Sequence, residues 1–291
     1  MSARRDRRRR LAVALCLAAA SLVAASPLPA AEDPVRAALL PAGFDGPARV
    51  RVAVRLTIDP GWYIYWTNPG DAGLPSRIRW SLPPGVALRN VEWPPPERFG
   101  LDSASLGYAG EVVVIATLES RPGAAARSTI DLAARVEWAA CAEVCVAGRS
   151  DLRATVRAGD GGGRPRPAMP VRSPTAHDWR PEAVALPGSV ELRLTPPPSE
   201  GVTGIDFFPM EGGVFHHRPP ALERHGGKVT IRLLLASGRT AEPRAVRGVL
   251  TWVDRAGRRS ATTIAARVTT PDDERAVSRT PLRETGVLVI R

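Results

Sequence analysis

The 29 prolines and 26 glycines divide this chain of 291 residues into short runs. Proline removes a backbone donor and disrupts a helix interior, so such frequent interruption disfavours long helices. Between the interruptions, the runs 48–58, 111–118 and 128–138 alternate apolar with polar side chains. In the first run, Arg51 and Arg55 alternate with valines. A period of two is typical of a strand with one buried face, and several such strands predict an all-β protein of antiparallel sandwiches.

A segment rich in glycine and proline separates two groups of these runs. Residues 158–182 have no apolar periodicity, which is typical of a linker. We therefore predict a first β-sandwich domain at 32–157 and a second antiparallel β-sandwich domain at 183–270. The stretch 271–291 is predicted to be a charged tail.

The N-terminus has the pattern of an export signal at 1–31. A basic start, MSARRDRRRR, precedes a short apolar run that contains Cys16, and small residues lead to a predicted cleavage point after Ala30 or Ala31. The apolar run is too short for a membrane span. We therefore expect a soluble periplasmic protein that has lost Cys16.

Charge gives no support for nucleic-acid binding. The formal net charge of the full chain is +11, and removal of residues 1–31 with their six Arg and one Asp lowers it to about +6. The remaining arginines are scattered, with no basic face interleaved with aromatic residues. No nucleic-acid partner is predicted.

Cys141 and Cys145 lie in EWAACAEVCVAG. Exported proteins meet an oxidising environment, so this pair can form a disulfide. A bridge over so short a loop removes little chain entropy, and tight bridges are the exchangeable kind. The spacing favours a redox pair, and it leaves a structural bridge and half of a metal site open.

A metal site would need two more ligands beside the cysteines. All four histidines lie beyond residue 158: His177, His216, His217 and His225. The adjacent pair His216 and His217 would point to opposite faces of a strand. We predict that both are exposed loop histidines, and no metal or cofactor is predicted.

Two further segments are candidates for a site. In DPGWYIYWTNPGDAGLP (59–75), strand alternation puts Tyr63 and Tyr65 on the face opposite the two tryptophans. In residues 91–114, Phe99 lies in a proline-stiffened loop without apolar neighbours. That position fits a loop tip that covers a site, and it fits an ordinary packed loop as well.

Five segments in order resemble the N-terminal periplasmic domain of the DsbD family of disulfide reductases, which includes the copper-sensitivity suppressor ScsB. They are GWYIYWTNPGDAGLP, IRWSLPPGV, EWPPPERF, LGYAGEV and VEWAACAEVCVAG. The resemblance covers about residues 45–155, and the second β-region resembles that of ScsB with weaker motifs. It implies an immunoglobulin-like first sandwich whose cysteine pair relays electrons.

The resemblance also implies roles for single residues. Cys141 and Cys145 would be the redox pair, and their order in the family pattern implies that Cys145 attacks first. Phe99 would cap the active site until a partner docks, and Tyr63 and Tyr65 would line it. The spacing CAEVC is shorter than in some family members.

The implied partners are a thioredoxin-like domain or a membrane reductase of the DsbD/CcdA type, and periplasmic substrate proteins with disulfides. The sequence contains neither a membrane segment nor a thioredoxin-like domain, so we expect separate proteins to supply the electrons. No Lys or His adjoins the cysteines, and Glu143 is the predicted proton acceptor. The alternative function is a non-catalytic module that binds copper or a partner protein. Cytochrome c biogenesis and copper tolerance are the expected processes.

Overall fold

The computed structural model describes residues 33–44, 49–100, 104–120, 129–157, 179–196, 202–239 and 242–271. Regular structure in these residues consists almost wholly of β-strands, so the all-β prediction is confirmed. The predicted signal peptide, most of the predicted linker and nearly all of the predicted tail lie outside the described residues. The described residues from Pro34 onward belong to one compact unit.

The first half of the chain forms two antiparallel sheets. The four-stranded sheet has the order β1-β2-β8-β5. Its strands are β1 (Val35–Phe44), β2 (Arg49–Ile58), β5 (Val86–Glu92) and β8 (Glu111–Ser120). The six-stranded sheet has the order β10-β9-β3-β7-β6, and β4 pairs with β9 beside this path. Its strands are β3 (Tyr63–Gly70), β4 (Arg77–Ser81), β6 (Glu97–Phe99), β7 (Ser105–Tyr108), β9 (Thr129–Cys141) and β10 (Cys145–Arg157).

These two sheets pack face to face around one apolar core. In β2 the predicted alternation is confirmed, because Arg51 and Arg55 are exposed while the valines between them are buried. The buried side chains of β2 and β8 share clusters with those of β3, β7 and β9. The first half is therefore an immunoglobulin-like sandwich, and its six-stranded sheet carries both cysteines.

The second half forms one connected seven-stranded sheet of order β13-β16-β17-β11-β12-β15-β14. Its strands are β11 (Arg180–Leu186), β12 (Ser189–Thr195), β13 (Thr203–Pro209), β14 (Ala221–His225), β15 (Lys228–Leu234), β16 (Ala245–Val253) and β17 (Arg259–Thr269). The pairing of β11 with β17 is parallel, and the other pairs are antiparallel. Arg224 of β14 donates to the Val202 carbonyl beside β13 (2.8 Å), so the two ends of the sheet approach each other. The sheet encloses its own core, and a separate second sandwich domain stays a prediction.

The chain joins this second core earlier than the predicted linker end at 182. Trp179 is buried, and its ring packs edge-on against Trp252 with centroids 5.2 Å apart. β11 begins at the next residue, Arg180. Residues 180–182 therefore belong to the sheet, and Trp179 contributes apolar surface to its core.

Candidate functional site

The cysteines close a β-hairpin at one end of the six-stranded sheet. Cys141 ends β9, Cys145 begins β10, and the two are direct partners in the register. They form a disulfide. Between them, the Ala142 N–H donates to the Val144 carbonyl at 3.0 Å and closes the three-residue loop. Directly opposed positions on neighbouring strands bring the two sulfurs together without any distant element.

The two cysteines differ in exposure. Cys141 is 1% exposed, whereas Cys145 is exposed. The loop next to Cys145 also faces solvent, and Val144 is 64% exposed. Another protein can therefore reach Cys145 from the surface, while Cys141 lies beneath it.

Tyr63 and Tyr65 approach the disulfide from β3, the neighbour of β9. Tyr63 is the register partner of Cys141. Tyr65 shares a small buried cluster with Cys141, on the face opposite Ile64, as strand alternation predicts. The Tyr65 hydroxyl lies 3.4 Å from Cys141 Sγ, and it is the donor because a disulfide sulfur carries no proton. Burial, together with the nearby Tyr63 hydroxyl, raises the pKa of Tyr65, so this hydroxyl keeps its proton.

Phe99 completes a row of aromatic rings that ends at the buried sulfur. Its ring stacks on Tyr63 with centroids 4.5 Å apart and planes 6° from parallel. Tyr63 in turn meets Tyr65 edge-on at 5.5 Å. Phe99 lies at the end of the short strand β6 rather than at a loop tip, and it is half-buried. We call Phe99, Tyr63 and Tyr65 the aromatic row.

The NPGDAG segment packs over the other side of Tyr65. A Cβ on Gly73 would lie 2.3 Å from the Tyr65 ring, and Gly73 has a φ of +110°. Only glycine fits this approach. Ser76 further along donates to the Tyr65 carbonyl at 2.5 Å. The sequence pattern of residues 59–75 gives no indication that this segment covers a tyrosine.

The proline segment that leads to Phe99 is anchored from below by Tyr108. The Tyr108 hydroxyl donates to the Pro94 carbonyl at 2.6 Å, and its ring stacks on Trp93 with centroids 6.2 Å apart. Burial raises the pKa of Tyr108 well above its ordinary value, so it remains a donor. This anchor holds the segment against the sheet that carries the cysteines.

Glu143 lies exposed in the hairpin loop between the two cysteines. Beside the hairpin, a surface groove of about 510 Å³ is lined by Leu74, Trp138, Gly148 and charged side chains. Leu74 is 65% exposed. Glu143 faces solvent, as does the neighbouring Cys145.

The prediction that His217 is an exposed loop histidine is wrong. His216 is exposed as expected, but the His217 side chain is 1% exposed. His217 is buried because it meets Asn68 and Asp71 of the first half. A sequence pattern confined to the second half contains no signal for this contact.

The protonation of His217 follows from its neighbours. The Asn68 side-chain amide donates to His217 Nε2 at 2.9 Å and to the Pro209 carbonyl at 2.8 Å. Nε2 is therefore the acceptor, and Nδ1 carries the proton that is donated to Asp71 Oδ1 at 3.1 Å. Burial lowers the pKa of His217 despite the nearby carboxylate.

Asp71 receives several donors at the same place. The His217 backbone N–H reaches Asp71 Oδ1 at 3.1 Å, and the Ala104 N–H reaches Oδ2 at 3.3 Å. Burial disfavours the ionised carboxyl, but the hydrogen bonds from His217 and Ala104 outweigh it and lower the pKa of Asp71. We call the polar contacts of Asn68, Asp71 and Arg98 with Asp206 and His217 the seam.

No group of three or more His, Cys, Asp or Glu side chains within the described ranges could hold a metal ion. Nor does any helix there have the length and apolar character needed to cross a membrane.

Known proteins resemble this chain, and the family model covers the half that carries the disulfide. Residues 36–157 match the family model described as "Thiol:disulfide interchange protein DsbD, N-terminal". The N-terminal periplasmic domain of ScsB from Proteus mirabilis aligns with a TM-score of 0.54 and 18% identity, covering 80% of this chain and 92% of that chain. The reduced DsbD N-terminal domain of Neisseria meningitidis aligns with a TM-score of 0.28 and 20% identity, over 42% of this chain and 83% of that one. No curated protein matches the sequence. The segment 36–157, with its cysteine hairpin, belongs to the family of DsbD N-terminal domains.

Proposed function

We propose that this protein is a periplasmic thiol:disulfide exchange protein. It passes electrons from a thioredoxin-like domain or a DsbD/CcdA-type membrane reductase to exported proteins that carry disulfides. The observation that supports this most is the pairing of an exposed Cys145 with a buried Cys141 in one disulfide. A bridge with one accessible sulfur suits exchange, because a partner thiolate must approach in line with the S–S bond.

The proposed reaction has two halves. A thiolate of the reductant attacks Cys145 Sγ, the bond to Cys141 Sγ breaks, and Cys141 leaves as a thiolate. A second thiol of the reductant then attacks the mixed disulfide and releases Cys145, so that two electrons have been transferred. In the second half, Cys145 attacks a substrate disulfide and Cys141 resolves the resulting mixed disulfide.

The surrounding residues take the proposed roles of shield and proton acceptor. Phe99 caps the site, while Tyr63 and Tyr65 line it and the Tyr65 hydroxyl donates towards Cys141 Sγ. Hydrogen bonding to the charged form stabilises a thiolate, so Tyr65 would favour Cys141 as the leaving group. Glu143 accepts the proton of the Cys145 thiol from the exposed loop.

The location and setting of this exchange are also proposed. A periplasmic location is supported by the export pattern at 1–31 and by the ScsB relative, whose matched part is a periplasmic domain. Cytochrome c biogenesis and copper tolerance are the proposed processes.

Trapping of mixed disulfides tests the exchange directly. The Cys141→Ala variant keeps the exposed Cys145 thiol. This thiol should attack a single-cysteine thioredoxin-like protein whose cysteine has been loaded as a mixed disulfide with thionitrobenzoate, release the thionitrobenzoate anion and accumulate as a covalent complex. The matched Cys145→Ala variant keeps only the buried sulfur and should accumulate about tenfold less complex, because Cys141 is inaccessible. Reducing gels and peptide mass spectrometry identify the bond.

If neither variant forms a covalent complex, the exchange function is wrong. Copper binding that disappears when both cysteines are replaced would then favour the non-catalytic binding module.

A further inference from the structure

We infer that the second half of the chain positions the shield of the disulfide, with Arg98 and His217 as its two positioning residues. This inference rests on the proposed function, since a shield matters only if the disulfide exchanges. Arg98 precedes the cap residue Phe99, and His217 binds the turn that covers Tyr65. Arg98 and His217 thus each make contacts between the two halves of the chain, which the predicted linker separates in sequence.

Arg98 is held by the second half on every side of its guanidinium group. It forms an ion pair with Asp206, and it donates to the carbonyls of His217 and Phe207 at 2.9 Å each. The guanidinium carbon also lies 4.4 Å from the centre of the Phe208 ring. The side chain is only 11% exposed. Arginine suits this site because its planar group can donate to several acceptors and stack at the same time.

The contacts of Arg98 with the second half also restrain the neighbouring Phe99. β6 consists of Glu97, Arg98 and Phe99, and among the strands that the structure describes it pairs with β7 alone. Successive strand side chains point to opposite faces, so Arg98 can be held from one side while Phe99 stacks on Tyr63 from the other. An edge strand this short has few backbone bonds of its own, and the Arg98 contacts add to its fixation.

The contacts of His217 restrain the turn that follows β3. His217 donates to Asp71, and Gly73 two residues later packs on the Tyr65 ring. Asn68, within β3, donates to the same imidazole. Phe208 and Val249 of the second half also share a buried cluster with Ile64 and Trp66. The second half therefore holds the two segments at the ends of the aromatic row: β6, which carries Phe99, and the turn that packs on Tyr65.

The rate at which dithiothreitol reduces the disulfide of the full chain tests this positioning. Phe99→Ala should speed reduction because it removes the shield, and Arg98→Ala should speed it by at least about threefold because it releases β6. The double variant should react no faster than the faster single variant, since both changes remove one and the same shield. The matched control is Arg232→Ala, which removes an exposed ion pair with Glu191 elsewhere in the second half and should leave the rate unchanged.

A second measurement separates positioning from plain stability. The reduction rate is measured at a temperature far below the thermal unfolding midpoint of each variant. Amide hydrogen exchange of residues 97–99 is measured in parallel. Arg98→Lys keeps the charge beside Asp206 but cannot reach both carbonyls, so it should give an intermediate rate and intermediate protection. This variant also serves if Arg98→Ala does not fold.

The outcomes distinguish this inference from the proposed function. His217→Ala should also speed reduction, because it releases the turn that packs on Tyr65. Faster reduction of Phe99→Ala together with wild-type rates for Arg98→Ala, Arg98→Lys and His217→Ala overturns the positioning role and leaves the shield intact. An unchanged rate for Phe99→Ala means that there is no shield, which also overturns the inference. In that case, trapping through Cys145 still decides the exchange function independently.

Discussion

The disulfide hairpin and the seam are built in opposite ways. The hairpin joins two residues only four positions apart. The seam joins Arg98 to Asp206 and Asn68 to His217, pairs separated by 108 and 149 positions. In the proposed exchange, the hairpin carries the reactive sulfurs and the seam holds the segments that cover them. The disulfide is thus encoded by residues close in sequence, whereas the contacts of its surroundings depend on distant residues.

The largest expected effect on stability comes from the close approach of β3 and β7 at Gly107. A Cβ on Gly107 would lie 2.0 Å from the Ile64 carbonyl oxygen, which is backbone and cannot rotate away. Gly107→Ala should therefore force β3 and β7 apart and lower the free energy of unfolding by about 3 kcal/mol. Urea denaturation measures this.

The matched control for Gly107→Ala is Gly110→Ala. Its Cβ would meet nothing within 4 Å, but its φ is +69°, so the cost should be about 1 kcal/mol. Equal losses in the two variants would show that the approach of β3 to β7 is not a constraint.

Breaking the seam at His217 should have the next largest effect. His217→Ala removes one acceptor of the buried Asn68 amide and one donor to Asp71, which should lower the free energy of unfolding by about 2 kcal/mol. His216→Ala, at the exposed neighbour, should stay within about 0.5 kcal/mol of the wild type. A similar loss at both positions would show that the seam contributes no specific stability.

Acid should weaken the seam before it affects the hairpin. Burial lowers the pKa of His217, so below about pH 6.5 the unfolded chain binds a proton at this residue that the folded chain excludes. The stability from neutral His217 is complete above that pH and is lost as the pH falls towards the folded pKa. Asp71, whose pKa is also lowered, contributes until the pH falls below about 4.

Urea denaturation at pH 7, 6 and 5 measures this slope, which one proton limits to about 1.4 kcal/mol per pH unit. The His217→Ala variant should show a smaller decrease between pH 7 and 5 than the wild type. Parallel plots of stability against pH for the two proteins would show that His217 is not the source of the pH dependence. The disulfide-bonded cysteines cannot be its source, because they do not titrate.

The smallest expected effect is at Glu143. Glu143→Gln should slow thiol exchange at pH 7 by far less than the ~100-fold typical of a positioned general base, because this carboxylate is in water. Stopped-flow exchange with glutathione measures the rate, and stability should change by less than about 0.5 kcal/mol. A faster rate in the variant would show that the negative charge opposes thiolate formation, and it would remove Glu143 as the acceptor.

The sequence by itself determined the all-β fold and the position of the cysteine pair. Strand alternation depends on neighbouring residues, so it correctly separated Tyr63 and Tyr65 from Ile64 and Trp66. Residues 141 and 145 are close enough for a hairpin to join them. These features follow from periodicity and local spacing.

Tertiary structure alone decided what surrounds the pair. Whether Cys141 or Cys145 is exposed depends on which strands cover the hairpin, and the contact of Phe99 with Tyr63 crosses from β6 over β7. The burial of His217 depends on Asn68 and Asp71, which lie in another part of the chain. Local sequence patterns cannot predict such contacts, because their free energy arises only when distant segments have packed together.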